Sequence, residues 1–227
     1  RMTSALVDAK VDFRMESALC KLWGTETAWR VVDDLMQIRG GRGYETAGSL
    51  AARGDLPEPV ARMMRDSRIN RIFEGSTEIM RLYLAREALD PHLRLAGGAM
   101  DSRLSLGTRL LTAIKAGIHY SIWYPGQYLP TLGGSPAGIS RRTRRALAYI
   151  ERTSRKLSRS LFHAMALHGP ALEKRQLLLG RLVDVAAELF ALSSSHLRAE
   201  AILSGKETCE EIHKEDLPTI LAYLDER

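Results

Sequence analysis

Glu74, followed by Gly75, Ser76 and Thr77, is the carboxylate with the most chemistry gathered around it in this sequence. An acid just ahead of a helix meets the positive end of the macrodipole, which favours the charged form by a few tenths to about 1 kcal/mol. Gly75 lets another molecule come close to the backbone. Those features alone describe an ordinary helix-start acid equally well. A second candidate is the turn Gln37-Ile38-Arg39-Gly40-Gly41. Its glycines free main-chain amides to approach an anionic ligand, and the same pair would serve as a helix C-cap. No strand precedes the turn, so it is not a Rossmann fingerprint.

Other chemistries are poorly served. His92, His119, His163, His168, His196 and His213 include no H-x-x-x-H pair beside a carboxylate, and no zinc site is expected. Cys20 and Cys209 lie far apart, with no second thiol near either, so neither a disulfide framework nor a zinc knuckle follows and a reducing compartment is the easier reading. The serines at 193–195 sit inside a helix-period segment without a base at recognisable spacing, which fits close helix packing better than a nucleophile.

The elements that must position the two candidate turns are helices. Apolar residues recur at helical spacing, as in Val31, Val32, Leu35 and Met36, or Leu177, Leu178, Leu182, Val185 and Leu189. The fold class expected is all-α, and 227 residues with 45% hydrophobic content can bury a sizeable core. Three breaker-rich stretches interrupt the pattern: Gly40 through Pro59, Asp90-Pro91 with Gly97-Gly98, and Pro125-Gly126 through Gly138. The second should close the helix that begins after Gly75. A boundary is therefore expected near 98, giving a helical-bundle domain over 1–98 and an additional helical module over 99–227, with helices at about 102–122, 140–168, 171–204 and 207–225.

Charge is uneven. Lys plus Arg number 33 against 27 acids, and the stretch from Arg141 to Arg159 contains the single acid Glu151. Just before it, Tyr120, Trp123, Tyr124 and Tyr128 follow the amphipathic series Leu106, Leu110, Leu111, Ile114 and Ile118. Such a helix suits attachment to an anionic membrane surface, with arginines on the headgroups. A core-facing helix with a solvated polar face fits the same pattern, and nucleic acid is the least favoured partner. No apolar run approaches the roughly 18 to 20 residues of a spanning helix. The N-terminal residues lack a signal-peptide core, so a soluble or membrane-peripheral protein is expected.

Two motifs flank the first loop: Met36-Gln37-Ile38-Arg39-Gly40-Gly41-Arg42-Gly43-Tyr44, then Arg65-Asp66-Ser67-Arg68-Ile69-Asn70-Arg71-Ile72-Phe73-Glu74-Gly75-Ser76-Thr77. Together, behind a helix carrying Lys21-Leu22-Trp23-Gly24-Thr25-Glu26-Thr27-Ala28-Trp29, they resemble the C-terminal helical domain of the acyl-CoA dehydrogenases. The resemblance covers residues 1 to about 92. More weakly, 145–205 is similar to the extra helical module of very-long-chain members. Ser76 stands where threonine is commoner, and the connection from Glu45 to Pro59 looks longer than usual.

The resemblance implies a helical bundle whose partner domains, one helical and one a β-barrel, lie upstream of this chain. It implies Glu74 as the base that takes the α-proton of an acyl-CoA thioester, with Gly75 against the substrate. The Glu74 main-chain N–H would bond the thioester carbonyl. It implies FAD as cofactor, touched by Ser76, Thr77 and Glu78 after the base, while Gln37, Ile38, Arg39, Gly40 and Gly41 meet the ADP portion of a neighbouring subunit's FAD. A homodimer or dimer of dimers, electron-transfer flavoprotein as electron acceptor, and a bacterial cytoplasmic or mitochondrial-matrix setting follow from the same likeness. Chain-length choice, for long acyl chains in β-oxidation, rests only on the second module. A non-catalytic relative serving assembly, membrane or DNA binding is the alternative.

Overall fold

The computed structural model describes residues 2–129, 138–206, 213 and 215–226. Ten α-helices follow in order among them: α1 (Met2–Asp8), α2 (Arg14–Arg39), α3 (Gly41–Tyr44), α4 (Ala47–Ala52), α5 (Val60–Ile69), α6 (Thr77–Met100), α7 (Leu106–Gly126), α8 (Arg141–His168), α9 (Gln176–Leu203) and α10 (Leu217–Glu226). A 3-10 helix, Gly169–Lys174, joins α8 to α9. No strand occurs among the described residues, so the fold is all-α as the periodicity requires. Cys209 and the breakers at 130–136 lie outside the described residues.

The chain forms two compact units, residues 3–84 and 85–227. In the first, α2 packs on α5, and α3 packs on both. The α2 stripe Ala18, Leu19, Leu22 and Val32 is buried, and Leu50 and Val60 complete the core. Helix α2 stops at Gly40, whose φ of 58° is left-handed and whose N–H returns to the Gln37 carbonyl at 3.1 Å. An L side chain resists that conformation, so glycine sets the stop. The loop after it is not bare. Thr46 accepts from the Ser49 N–H and starts α4.

In the second unit, α8 and α9 pack along one another, and α10 closes on α9 through Ala199, Ile202, Leu217 and Leu221. Ser140 caps α8 by accepting from the Thr143 N–H at 3.2 Å. Glu200 of α9 fixes that cap, accepting from the Ser140 N–H at 2.9 Å and the Thr143 hydroxyl at 2.8 Å. Burial opposes charge on Glu200, but the bonds from Ser140 and Thr143 prevail and its carboxyl lies below the usual range.

The second and third breaker stretches end helices at their glycines, two residues past Gly98 and at Gly126, and not at their prolines. Helix α6 does not end at Asp90-Pro91; it runs on to Met100. Pro91 is exposed, so the carbonyl it leaves unbonded one turn earlier can face water. A Cβ at Gly98 would make only an ordinary contact with Thr112 of α7, at 3.4 Å, so packing does not require glycine here. Helix α7 likewise continues through Pro125 to Gly126. Arg155 donates to the Gly126 carbonyl at 2.8 Å and Arg159 to the Gln127 carbonyl at 2.6 Å, so two arginines of the basic stretch satisfy the end of α7.

Candidate functional site

The turn between α5 and α6 carries Glu74. The end of α5 winds down through bonds from the Ile72 and Phe73 N–H groups to the Ile69 carbonyl, at 2.9 and 3.1 Å. Glu74 then adopts φ 50° and Gly75 φ 96°. For glycine this costs nothing, whereas a non-glycine residue held left-handed stores roughly 1 kcal/mol or more. The chain turns back so that the Thr77 N–H reaches the Arg71 carbonyl at 3.2 Å, and α6 begins. The N–H groups of Glu74, Gly75 and Ser76 make no hydrogen bond among the described residues. Three successive free donors at a helix start suit an oxyanion. The Glu74 side chain is exposed and has no ion-pair or hydrogen-bond partner among the described residues.

Helix α2 grips this turn from beneath. Lys21 Nζ donates to the Gly75 carbonyl. Glu26 Oε1 accepts from Arg71 Nε at 2.8 Å and from the Thr77 hydroxyl at 2.6 Å. Burial works against charge on Glu26, but the Thr77 and Arg71 hydrogen bonds outweigh it and hold the carboxyl below its usual range. The guanidinium carbons of Arg68 and Arg71 lie 5.5 and 5.6 Å from the centroid of the Trp29 ring, adding cation–π contacts. Neither Lys21 nor Glu26 stood out in the sequence as a site residue. The spacing misleads: Arg30 lies four residues after Glu26 and reads as its surface partner, yet its Nε donates to the Glu26 main-chain carbonyl instead.

The remaining candidates divide by exposure. Thr77 is buried, with its hydroxyl turned inward to Glu26, whereas Glu78 is exposed and Ser76 half-buried, its Oγ accepting weakly from the Ile79 N–H at 3.4 Å. At the far end of α2, Gln37, Gly40 and Gly41 are exposed and Ile38 is 82% exposed. A Cβ added at Gly40 or Gly41 would meet nothing within 4 Å. Arg39 Nε, next to them, is buried without a hydrogen-bond partner. Open main chain is what a phosphate-bearing dinucleotide would need. Gln37 lies sixteen residues along α2 from Lys21, about 24 Å at 1.5 Å per residue. The two turns therefore lie toward opposite ends of α2.

In the second unit, Tyr120, Trp123 and Tyr124 of α7 point into an aromatic hub with His92 and Phe162, with ring centroids 4.8 to 5.9 Å apart for Tyr120–Phe162, Trp123–Phe162 and Tyr120–Trp123. His92 Nδ1 lies 2.9 Å from the Tyr120 hydroxyl, and the Tyr124 hydroxyl 2.8 Å from His163 Nε2. These aromatics are thus not laid out along an interface, as the sequence pattern had allowed. The opposite face of α7 is bare: Leu106, Leu110, Leu111, Ile114, Ile118 and Ile122 are all exposed. No helix among the described residues is long and apolar enough to cross a membrane.

Residues 1–89 match the family "Acyl-CoA dehydrogenase, C-terminal domain". Over 207 residues the chain is 49% identical to "Probable acyl-CoA dehydrogenase FadE10" of Mycobacterium tuberculosis (strain ATCC 25618 / H37Rv), an alignment covering 88% of this chain and 31% of that protein. It is 32% identical over 207 residues to the Homo sapiens "Very long-chain specific acyl-CoA dehydrogenase, mitochondrial", covering 89% of this chain and 29% of the relative. Among solved structures, an acyl-CoA dehydrogenase complexed with FAD from Bacillus anthracis superposes with a TM-score of 0.56 at 27% identity, covering 93% of this chain and 30% of that one. The chain therefore spans about a third of the length of these relatives.

Proposed function

Residues 1–89 are an acyl-CoA dehydrogenase C-terminal domain, and from that premise we propose that the chain supplies the base and part of the flavin cradle of an FAD-dependent acyl-CoA dehydrogenase. The observation that carries this reading is the turn at Glu74, where an unpartnered carboxylate stands beside three free main-chain donors. Glu74 takes the α-proton of the acyl thioester, and its own N–H bonds the thioester carbonyl as negative charge develops there. Gly75, without a Cβ, lets the thioester lie against the main chain. FAD, when bound, supplies the acceptor for the hydride that leaves Cβ.

Ser76 and Glu78 border the flavin from the start of α6, with Thr77 anchored beneath them. Gln37, Ile38, Arg39, Gly40 and Gly41 hold the ADP portion of a neighbouring subunit's FAD, which makes the working form a homodimer or a dimer of dimers. Long-chain acyl-CoA as substrate, supported by the likeness to the very-long-chain enzyme, and electron-transfer flavoprotein as acceptor complete the reading.

A second reading concerns partners of α7 and α8. Between Asp101 and Glu151 there is no acidic residue, while Arg103, Arg109, Lys115 and four arginines from Arg141 to Arg145 fall there. Combined with the bare aliphatic face of α7, this favours peripheral contact with an anionic lipid surface.

The catalytic reading is tested by Glu74→Gln in the complete flavoprotein. Gln keeps the size but cannot accept the proton, so FAD should stay bound and yellow while bleaching by acyl-CoA is abolished. A variant that bleaches at near wild-type rate removes Glu74 as the base.

A further inference from the structure

Glu74 holds a backbone conformation that its own residue type disfavours, so something else must fix it. The bonds around the turn show what does. Arg71 precedes it and Thr77 follows it, and both side chains end on the same oxygen, Glu26 Oε1. The two residues are also joined to each other, Thr77 N–H to Arg71 carbonyl at 3.2 Å. The result is a closed loop of contacts around Glu74, Gly75 and Ser76, shut by one carboxylate on a helix 51 residues before Thr77.

We propose that Glu26 is a positioning residue for the base: by holding Arg71 and Thr77 on one oxygen it locks the left-handed turn that aims the Glu74 carboxylate and the free N–H groups at one substrate. This rests on the reading of Glu74 as the base. Glu26 touches no reacting atom and acts only through the turn.

The chemistry makes the carboxylate hard to replace. Thr77 is buried, so its hydroxyl has no water to turn to when Glu26 is removed. Glutamine can still accept the Thr77 proton but offers Arg71 no charge, and alanine offers neither. Once the clamp opens, Glu74 can relax toward right-handed or extended backbone. In those forms its side chain and N–H no longer converge, and only the remaining locked fraction reacts.

The experiment compares Glu26→Gln, Glu26→Ala, Thr77→Val and the Glu26→Ala/Thr77→Val pair in the complete protein, with two readouts. The first is the rate of flavin bleaching by acyl-CoA per bound flavin. Glu26→Gln should slow it about tenfold, corresponding to about 1.4 kcal/mol, and Glu26→Ala should slow it more. The double variant should be no slower than the slower of its two single variants, because one hydrogen bond is broken only once. A role in overall stability alone would lower flavin content and leave the per-flavin rate unchanged.

The second readout is amide hydrogen exchange in the flavin-free protein. The Thr77 and Met80 amides should exchange at least tenfold faster in Glu26→Gln, while those of α8 do not change. If Glu26→Ala fails to fold, the Gln and Val variants carry both readouts. Unchanged per-flavin rates, effects that multiply in the double variant, or unchanged exchange would each overturn the proposal. Glu74→Gln separates the two claims: should it keep bleaching, the base assignment fails, and exchange at Thr77 and Met80 still decides whether Glu26 sets the turn.

Discussion

Gly43 lies so close to Met36 that a Cβ built on it would stand 2.7 Å from the Met36 carbonyl oxygen. The obstacle is main chain, which cannot swing aside, so the α3 turn can press onto α2 only with glycine at this place. Gly43→Ala should cost about 1 to 3 kcal/mol and lower the melting temperature of the first unit. Gly41→Val should leave folding nearly unchanged, since its φ is ordinary and its surroundings are open. Calorimetry of the two variants checks the contrast, and equal melting points would show that the close approach is not real.

Mixed oligomers test where the two turns act. If Gln37 to Gly41 completes a neighbour's flavin site, a Gly41→Val lesion falls on the flavin held by the other subunit, whereas a Glu74→Gln lesion stays at home. Co-expression should gather both defects in one site and leave the other intact, so each mixed dimer should recover up to about half of wild-type activity. No recovery from proven heterodimers would reduce the Gly40-Gly41 turn to a helix terminus.

The aromatic hub should be sensitive to acid. Burial holds His92 below its usual value of 6.5, and the neighbouring His119 adds to the effect. A ring that is harder to protonate in the fold than in the unfolded chain contributes stability above about pH 6.5, and that stability is lost as pH falls through the depressed folded value. Thermal melts between pH 7.5 and 5 should therefore drop more steeply for wild type than for His92→Phe. Parallel curves would mean that His92 does not sense pH.

Binding to vesicles tests the α7 face. Sedimentation with anionic vesicles should exceed that with neutral ones and weaken with salt, and Ile114→Asp with Ile118→Asp should reduce it at least tenfold by placing charge where aliphatic surface meets the acyl boundary. Equal binding to neutral vesicles, or none to either, would remove the lipid reading.

The helical class was legible because apolar spacing is local, and so was the Glu74 turn, where Gly75 and Ser76 announce a helix start. Pro91 misled for a physical reason: a ring ends a helix only if the freed carbonyl has nowhere to go, and exposure decides that from outside the local sequence. The grip of Lys21 and Glu26 on the turn was equally hidden. Both are charged residues on a long helix, and nothing in their spacing separates a solvated face from one that meets a turn some fifty residues away. The positive φ of the Gly40-Gly41 pair falls at Gly40, where the reversal ends α2.

The left-handed backbone at Glu74 sets what the fold demands of this position against what the chemistry demands. Glycine there would relieve the strain, by about 1 kcal/mol, while removing the carboxylate altogether. Such a protein would pass cellular quality control at least as well as the active one, since proteases and chaperones read opened chains and not missing reactivity. It would accumulate to at least the level of the unchanged protein. Loss of the carboxylate through Glu74→Gly would then come with an undiminished protein level, whereas Gly43→Ala would lower the level of protein itself.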